Sequence, residues 1–377
     1  MKIKFIKLFL LFAIFFVAPN FASAAPVITS VPTVILDEQS VSIAGSGFKT
    51  KTNAAPVYWD NFEAYTAGLA PTAGGWVVRA GTPAISTEKS YAGTQAVRFF
   101  NDSTAFQQLS RDMGTTFSDE TFFKGKIYLD NTNNACDEYQ WKNLRFSSSP
   151  GAYAINEEGN TAIVLMDSWY NATTTRWFNS GSPHVYYNGG LSSSTLGAPD
   201  DLFKFNQWFD FEFKLKRSSA PSAPDGSVRI DIDEVQKSIK TDFITHDADD
   251  GVYRYMLMGG SIVSCRDIND VPMNPNFKIY YDDLYVDNTQ ARVEICNSAT
   301  WASRTHCEIQ PTTAWPTAGN PTANIEVTVN QGSFANGAGA YLFVIDEDGT
   351  ASAGFPIAFA TSGDVTAPSA PTGLGVN

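Results

Sequence analysis

The sequence predicts an all-β protein built from two β-sandwiches, and three observations carry that expectation. Amphipathic helical periodicity is almost absent. Strand-like runs recur between clusters of Gly, Ser, Asn, Pro and Thr. The 377 residues, 43% apolar and 13% aromatic, are too many for one ordinary sandwich and enough for two separate cores.

Charge narrows the partners. At 17% charged residues the chain reads neither as a disordered tail nor as a coiled coil. Its net charge of −13 repels phosphate backbones and anionic lipid surfaces, which argues against nucleic acid and membrane partners. With only 3 His, a His-rich transition-metal site is disfavoured.

The first element is an export signal. Lys2, Lys4 and Lys7 precede an apolar run from Leu8 to Ala18, and Ala22-Ser23-Ala24 offers a small-residue cleavage site. Residues 1–24 are therefore expected to be a signal peptide, with the mature protein secreted or at the cell surface. A membrane anchor is the alternative, but Pro19 and Asn20 end the run short of the ~20 residues a bilayer requires. No later segment approaches membrane-spanning length, so no membrane insertion is expected. Export permits disulfides, and 4 Cys allow three connectivities. Pairing neighbours within each domain gives Cys296 with Cys307 and Cys136 with Cys265. The rival, a metal site, has only His306 beside Cys307 to suggest it.

Further along, Trp208 to Lys216 alternates most clearly. Phe209, Phe211, Phe213 and Leu215 share one face, while Trp208, Asp210, Glu212, Lys214 and Lys216 share the other. At period two this is a strand with one face in a core and the other toward solvent or ligand. A Pro- and Ser-rich turn from Ser218 to Gly226 leads to Val228–Asp233, so the two are expected to form a hairpin. Val252–Met258 and Phe277–Val286 are further strands.

Residues 27–48, ending in Gly45-Ser46-Gly47-Phe48, resemble the opening of the immunoglobulin-like domains known as IPT/TIG. Stretches resembling that family's closing strands come only after residue 289, with Ile325–Val329 and Tyr341–Val344 as hydrophobic runs. The resemblance implies a discontinuous immunoglobulin-like domain, 26–57 plus 289–362, around an inserted domain; insertion at a surface loop is tolerated where the insert's ends lie close together. Three consecutive units are the alternative, although thirty residues cannot bury a core unaided. Residues 363–377, with Ala367-Pro368-Ser369-Ala370-Pro371, resemble the start of a fibronectin type III module, or a linker.

Residues 58–288 resemble the concanavalin A-like lectin/glucanase jelly roll at four places: Trp59-Asp60-Asn61-Phe62-Glu63, Tyr91–Val97, Trp208–Asp233 and Ile279–Val286. The implied fold is a jelly-roll β-sandwich beside a smaller immunoglobulin-like β-sandwich, with glycan lying across the concave sheet. Sugar rings stack their C–H faces on aromatics and their hydroxyls need planar polar partners. If Leu144 and Phe146 point inward, Tyr139, Trp141, Asn143 and Arg145 share the outer face, and Trp208 extends the platform. Trp169, Tyr170 and Trp177 form a possible rim. An ordinary exposed strand, or core roles for these rings, is the competing reading. The resemblance also implies a structural Ca2+ joining the chain ends of this domain through Glu63 and Asp283, with Asp60 or Asp282; exposed acids at strand ends are the alternative.

No catalytic residues are assigned. Asp210 and Glu212 lie two apart on a strand face, a spacing compatible with a glycosidase pair, but Asp231-Ile232-Asp233-Glu234 lacks the leading Glu of the laminarinase-like signature. Lyases of this fold use Tyr, often with His, and basic groups to neutralise a carboxylate. Lys142, Arg145, Lys214 and Lys216 supply charge, while the usual lyase signatures are missing and His184, His246 and His306 sit in loop-like contexts. Three functions remain: glycan binding at the surface, a polysaccharide lyase or hydrolase using the same groove, and a spacer in a longer adhesin. The oligomeric state is not indicated.

Overall fold

The computed structural model describes residues 24–101, 107–117, 119–133, 138–147, 164–171, 176–177, 184–187, 192–195, 204–245, 252–267, 269, 271–272, 276–321 and 324–361, with backbone alone for 101, 138–143, 164–195, 243 and 260–266 of these. Apart from short 3-10 turns, the described secondary structure is β-strand, and the protein is all-β.

The larger sandwich packs an eight-stranded sheet on a six-stranded one. In the first, Val235–Phe243, Gly226–Ile232, Trp208–Lys216, Glu120–Asp130, Phe277–Asp287, Ala96–Asn101 and Ala84–Ser86 are neighbours in that order, and Tyr58–Asp60 adds to Phe277–Asp287. The second runs Arg176–Trp177, Val164–Asn171, Glu138–Ser147, Tyr253–Arg266, Gln108–Phe117, Trp76–Ala80. Their facing side chains make one core, with Phe209, Phe211, Phe213 and Leu215 meeting Leu109, Leu144, Phe146 and Met258. Phe146 stacks on Phe213 across the sheets. Trp208–Lys216 and Gly226–Ile232 pair antiparallel, as the period-two pattern requires. Of the stretch Tyr91–Val97, only Ala96 and Val97 lie in a strand.

The smaller sandwich has a four-stranded sheet, Val27–Ser30, Ser40–Ser46, Ile325–Thr328, Thr312–Ala314, and a five-stranded sheet, Val34–Ile35, Phe355–Phe359, Gly339–Ile345, Arg292–Cys296, Cys307–Gln310. Val41 pairs with Val327 and Ile43 with Ile325, and the parallel pair Ile35 with Phe359 closes the other sheet. Residues 27–46 and 292–359 thus share one core, which includes Val41, Ile43, Val293, Ile325 and Phe359. Cys296 and Cys307 are joined by a disulfide across the Arg292–Cys296 and Cys307–Gln310 pair. Cys136 and the side chain of Cys265 lie outside the described residues, as do residues 1–23 and 362–377. Among the described residues, no helix is long and apolar enough to cross a membrane.

Candidate functional site

The larger sandwich has two outer faces, and one of them is occupied. On the side of Trp208–Lys216 away from the core, Asp210 lies 2.6 Å from Lys126, which also reaches Glu308 at 3.1 Å and donates to the Cys307 carbonyl at 3.1 Å. Lys124 meets Glu234 at 2.6 Å and Glu294 at 3.0 Å. Arg292 pairs with Glu294 and, at 3.3 Å, with Glu212; Arg304 reaches Glu234 at 3.0 Å. Lys124, Lys126, Asp210, Glu212 and Glu234 belong to the larger sandwich, whereas Arg292, Glu294, Arg304 and Glu308 belong to the smaller. The network is therefore the joint between them, flanked by an apolar contact of Phe122, Tyr285 and Ile309 with Trp59.

Burial alone would lower the Lys124 and Lys126 pKa values, but the surrounding carboxylates hold both above the usual lysine range. Burial would likewise raise Glu294 and Glu308. Lys124 and Arg292 hold Glu294 down at about 2, and Lys126 and His306 hold Glu308 there. Burial raises Asp210, Glu212 and Glu234. Asp210 and Glu212 are thus interdomain ion-pair partners, and they do not flank an open groove as a glycosidase pair must. The Asp231 and Glu234 carboxylates are buried, with Arg229 and Lys124 as respective partners.

The outer face of the six-stranded sheet is the remaining one. Leu144 and Phe146 are in the core, which puts Arg145 on the outer side. There it is covered to 4% exposure, not open to solvent. Strand register places Arg145 opposite Leu257, Leu257 opposite Ser110, and Ser110 opposite Val77. Arg79 donates from Nε to Ser110 Oγ at 2.7 Å. Gln108, two residues before Ser110, is buried with its Oε1 unpartnered among the described residues. Tyr255, two residues from Leu257, is half-buried. The face therefore combines guanidinium, amide, hydroxyl and phenol groups around one leucine. Arg79, Gln108, Ser110 and Tyr255 were not identified from the sequence. Alternation of Leu109, Met113 and Phe117 against Gln108, Ser110 and Asp112 was the available signal.

The side chains of Tyr139, Trp141, Lys142 and Asn143, and of Trp169, Tyr170 and Trp177, lie outside the described residues, as do the His184 side chain and all of His246. Register breaks between Lys142 and Leu144 on one side and between Lys142 and Arg145 on the other, so alternation does not run unbroken from Arg145 to Trp141. Trp208 is a correction to the expected platform. Its strand belongs to the eight-stranded sheet, and its ring sits edge-on to Tyr91 and Tyr128, so it cannot extend a surface on the other sheet. Lys214 pairs with Glu120 at 3.3 Å and Lys216 is exposed, both on that eight-stranded sheet. His306 Nε2 lies 3.0 Å from Glu308, at the joint.

The acids expected to hold Ca2+ sit where Phe277–Asp287 is bulged. Register shifts between Asp282 and Tyr285, and Asp283 adopts φ 48°. Glu63 accepts from Thr94 N, Thr94 Oγ1 and Gln95 N, each at 2.8 Å. Asp282 accepts from Tyr91 N and Asp283 N, and Asp283 from Asn330 Nδ2 at 3.3 Å. Asp60 is turned elsewhere, to Tyr58, Tyr65 and Phe62 N. Among the described residues, the one trio of ligand-type atoms within 4.8 Å of one another is Glu294, Cys296 and Cys307, and the disulfide consumes both thiols. Glu63, Asp282 and Asp283 do not close on one point in that way. Burial, then the charges of Asp283 and Glu63, nevertheless push the Asp282 carboxyl well up.

No known family's sequence profile matches the chain, and no curated protein matches it. Its fold is similar to solved structures, among them an endo-β-1,4-glucuronan lyase from the fungus Trichoderma reesei (13% identity, TM-score 0.42, 62% of this chain and 96% of that one). An alginate lyase from Chlorella virus is similar at 10% identity and TM-score 0.40, over 59% of this chain and 98% of that one. The carbohydrate recognition domain of Emp46p follows at 8% identity and TM-score 0.37, over 63% and 98%. These neighbours are jelly-roll-like β-sandwiches. At such identities and TM-scores the likeness assigns no substrate to this chain.

Proposed function

We propose that the protein is an exported or cell-surface carbohydrate-binding protein, with the outer face of the six-stranded sheet as its glycan site. The observation that carries this reading is the asymmetry of the larger sandwich: one outer face is sealed by the smaller sandwich, and the other gathers half-buried Arg79 and Tyr255 with buried Gln108, Ser110 and Arg145. Sugar hydroxyls and carboxylates need such fixed donors and acceptors, and a buried amide oxygen without a partner is costly until a ligand or water supplies one. The jelly-roll and immunoglobulin-like family assignments belong to the same reading.

The test is a glycan array with the full chain, repeated with Arg145→Gln. The expected result is specific binding that this variant weakens roughly tenfold, the order of one lost charge-assisted hydrogen-bond group. An array without hits would favour the spacer. A second reading, a polysaccharide lyase, is supported by Tyr255 and Arg145 occupying neighbouring outer positions: Tyr255 opposes Ser147, two residues from Arg145. A phenol can take a proton where a nearby guanidinium neutralises the adjoining carboxylate. Rising absorbance at 235 nm with a uronate polysaccharide, lost in Tyr255→Phe, would establish it; binding without turnover would discard it.

Structural Ca2+ at Glu63, Asp282 and Asp283 rests on the resemblance alone, since among the described residues these acids do not close on one point. Identical melting curves with added Ca2+ and with chelator would remove the ion.

A further inference from the structure

We propose that the cleft between the two sandwiches is a second ligand site, distinct from the six-stranded face, and that it takes an amino sugar. The cleft has a volume of about 470 Å3 and is lined by Asp37, Glu38, Trp59, Asn61, Glu63 and Asp283, with residues of both sandwiches forming its walls. That volume lies within the range of small-molecule sites, which favour domain interfaces.

Three features of the lining select the ligand. The first is the indole. Trp59 is half-buried between Tyr58 and Asp60, packed at the apolar joint, and its ring is held rigidly enough to take a sugar's C–H face. The second is charge. Four carboxylates line the cleft, and among the described residues its walls contain no Lys, Arg or His. Phosphate, sulfate and uronate would meet net repulsion there, whereas a ligand ammonium would meet acceptors on several sides. The third is hydrogen-bonding capacity left unused. Asp283 is 2% exposed and lines the cleft; Asn330 Nδ2 donates to its Oδ2 at 3.3 Å, and no donor to its Oδ1 is found among the described residues. Asn61 accepts through Oδ1 from Glu63 N at 3.3 Å, while its Nδ2 and the Trp59 Nε1 donate to no acceptor among the described residues. A hydroxylated ring bearing an amine satisfies this set: hydroxyls and ammonium donate to the carboxylates, and ring oxygens accept from indole and amide.

The inference is independent of the glycan reading for the six-stranded face, since the two sites share no strand and their charge favours opposite ligands. Glu63 is already committed to Thr94 and Gln95, so Glu38, Asn61 and Asp283 supply the free groups.

The experiment is calorimetric titration of the full chain with a β-1,4-linked glucosamine trimer, its fully N-acetylated form, and a uronate trimer, at fixed ionic strength. The glucosamine trimer is expected to bind, the N-acetylated one at least about tenfold more weakly, and the uronate not at all. Glu38→Gln, an exposed position, should weaken glucosamine binding about fivefold to tenfold with an unchanged melting curve, and Asn61→Ala, which also loses the bond from Glu63 N, about threefold. Trp59→Phe keeps the apolar packing and should weaken binding without unfolding the joint. Equal binding of the amine and N-acetyl forms, or no response to Glu38→Gln and Asn61→Ala, overturns the proposal. So does stoichiometric Ca2+ binding that displaces the sugar and is abolished by the same substitutions, which would make the cleft a metal site. If the cleft binds and the array finds nothing for the six-stranded face, only the latter reading fails.

Discussion

Lys126→Ala is expected to cost about 3–5 kcal/mol in denaturant unfolding, the range for removing one partner of a buried ion pair. The magnitude comes from what the substitution strands. Asp210 at 2.6 Å and Glu308 at 3.1 Å would remain buried without their cation, and the Cys307 carbonyl would lose its donor. Lys216→Ala, on the neighbouring strand but exposed, should cost under about 0.5 kcal/mol. Because Lys126 belongs to one sandwich and Glu308 to the other, the wild-type chain should melt in one cooperative transition, and Lys126→Ala should lower or split it. Two resolved transitions in wild type, or a loss below about 1 kcal/mol in the variant, would contradict the coupling.

The same network is expected to make the protein acid-labile in a definite window. Glu294 and Glu308 are held at about 2 in the folded state, with Lys124 and Arg292 acting on the first and Lys126 and His306 on the second. A carboxyl whose folded pKa lies below its unfolded value binds its proton more readily when unfolded. Its contribution is therefore complete above an unfolded value of roughly 4.3 and is lost as pH falls toward about 2. Asp210, Glu212 and Glu234 act in the opposite sense: burial raises them, so as pH falls their protonation favours the folded state. Stability is thus expected to be flat or to rise slightly from pH 7 to about 5, and then to collapse by several kcal/mol between about 4 and 2. Glu308→Gln should flatten part of the acid limb, although it lowers stability at neutral pH by leaving Lys126 one partner short. A stability curve that falls steadily from pH 7 would count against this balance.

Periodicity reports which side of a strand is apolar, and it did so for Phe209, Phe211, Phe213 and Leu215 and for Leu144 and Phe146. It does not report what lies over the other side. Asp210 and Glu212 look the same in sequence whether they face water, a sugar or Lys126 and Arg292. Arg145 stands on the outer face and is nevertheless covered, which alternation along its own strand does not report. Trp208 was placed with Arg145 because both alternate out of a core, yet which sheet a strand joins depends on pairing that neither strand encodes alone. The Cys296–Cys307 bond was legible because ten residues separate its ends and the local hairpin closes them. The cleft was not: Asp37 and Trp59 come from different sandwiches, and no spacing along the chain signals a cavity between two domains.

The pairing of Val41 with Val327 and Ile43 with Ile325 also sets an order of events during synthesis. Strands at 27–46 leave the ribosome first, but their sheet partners are made nearly three hundred residues later. At roughly 10 residues per second they wait on the order of half a minute. Through that interval Ile35, Val41 and Ile43, all buried in the finished protein, remain unpaired edges with exposed apolar side chains. The larger sandwich has all of its strands before then and can condense first, bringing Tyr58 and Val286, a paired couple close to the two ends of its chain, side by side in one sheet. That closure shortens the effective loop between the early and late strands from hundreds of residues to a few tens, so the entropy of joining them falls with each strand the insert completes. The early strands are held in reserve, and the middle of the chain acts as the template that delivers their partners.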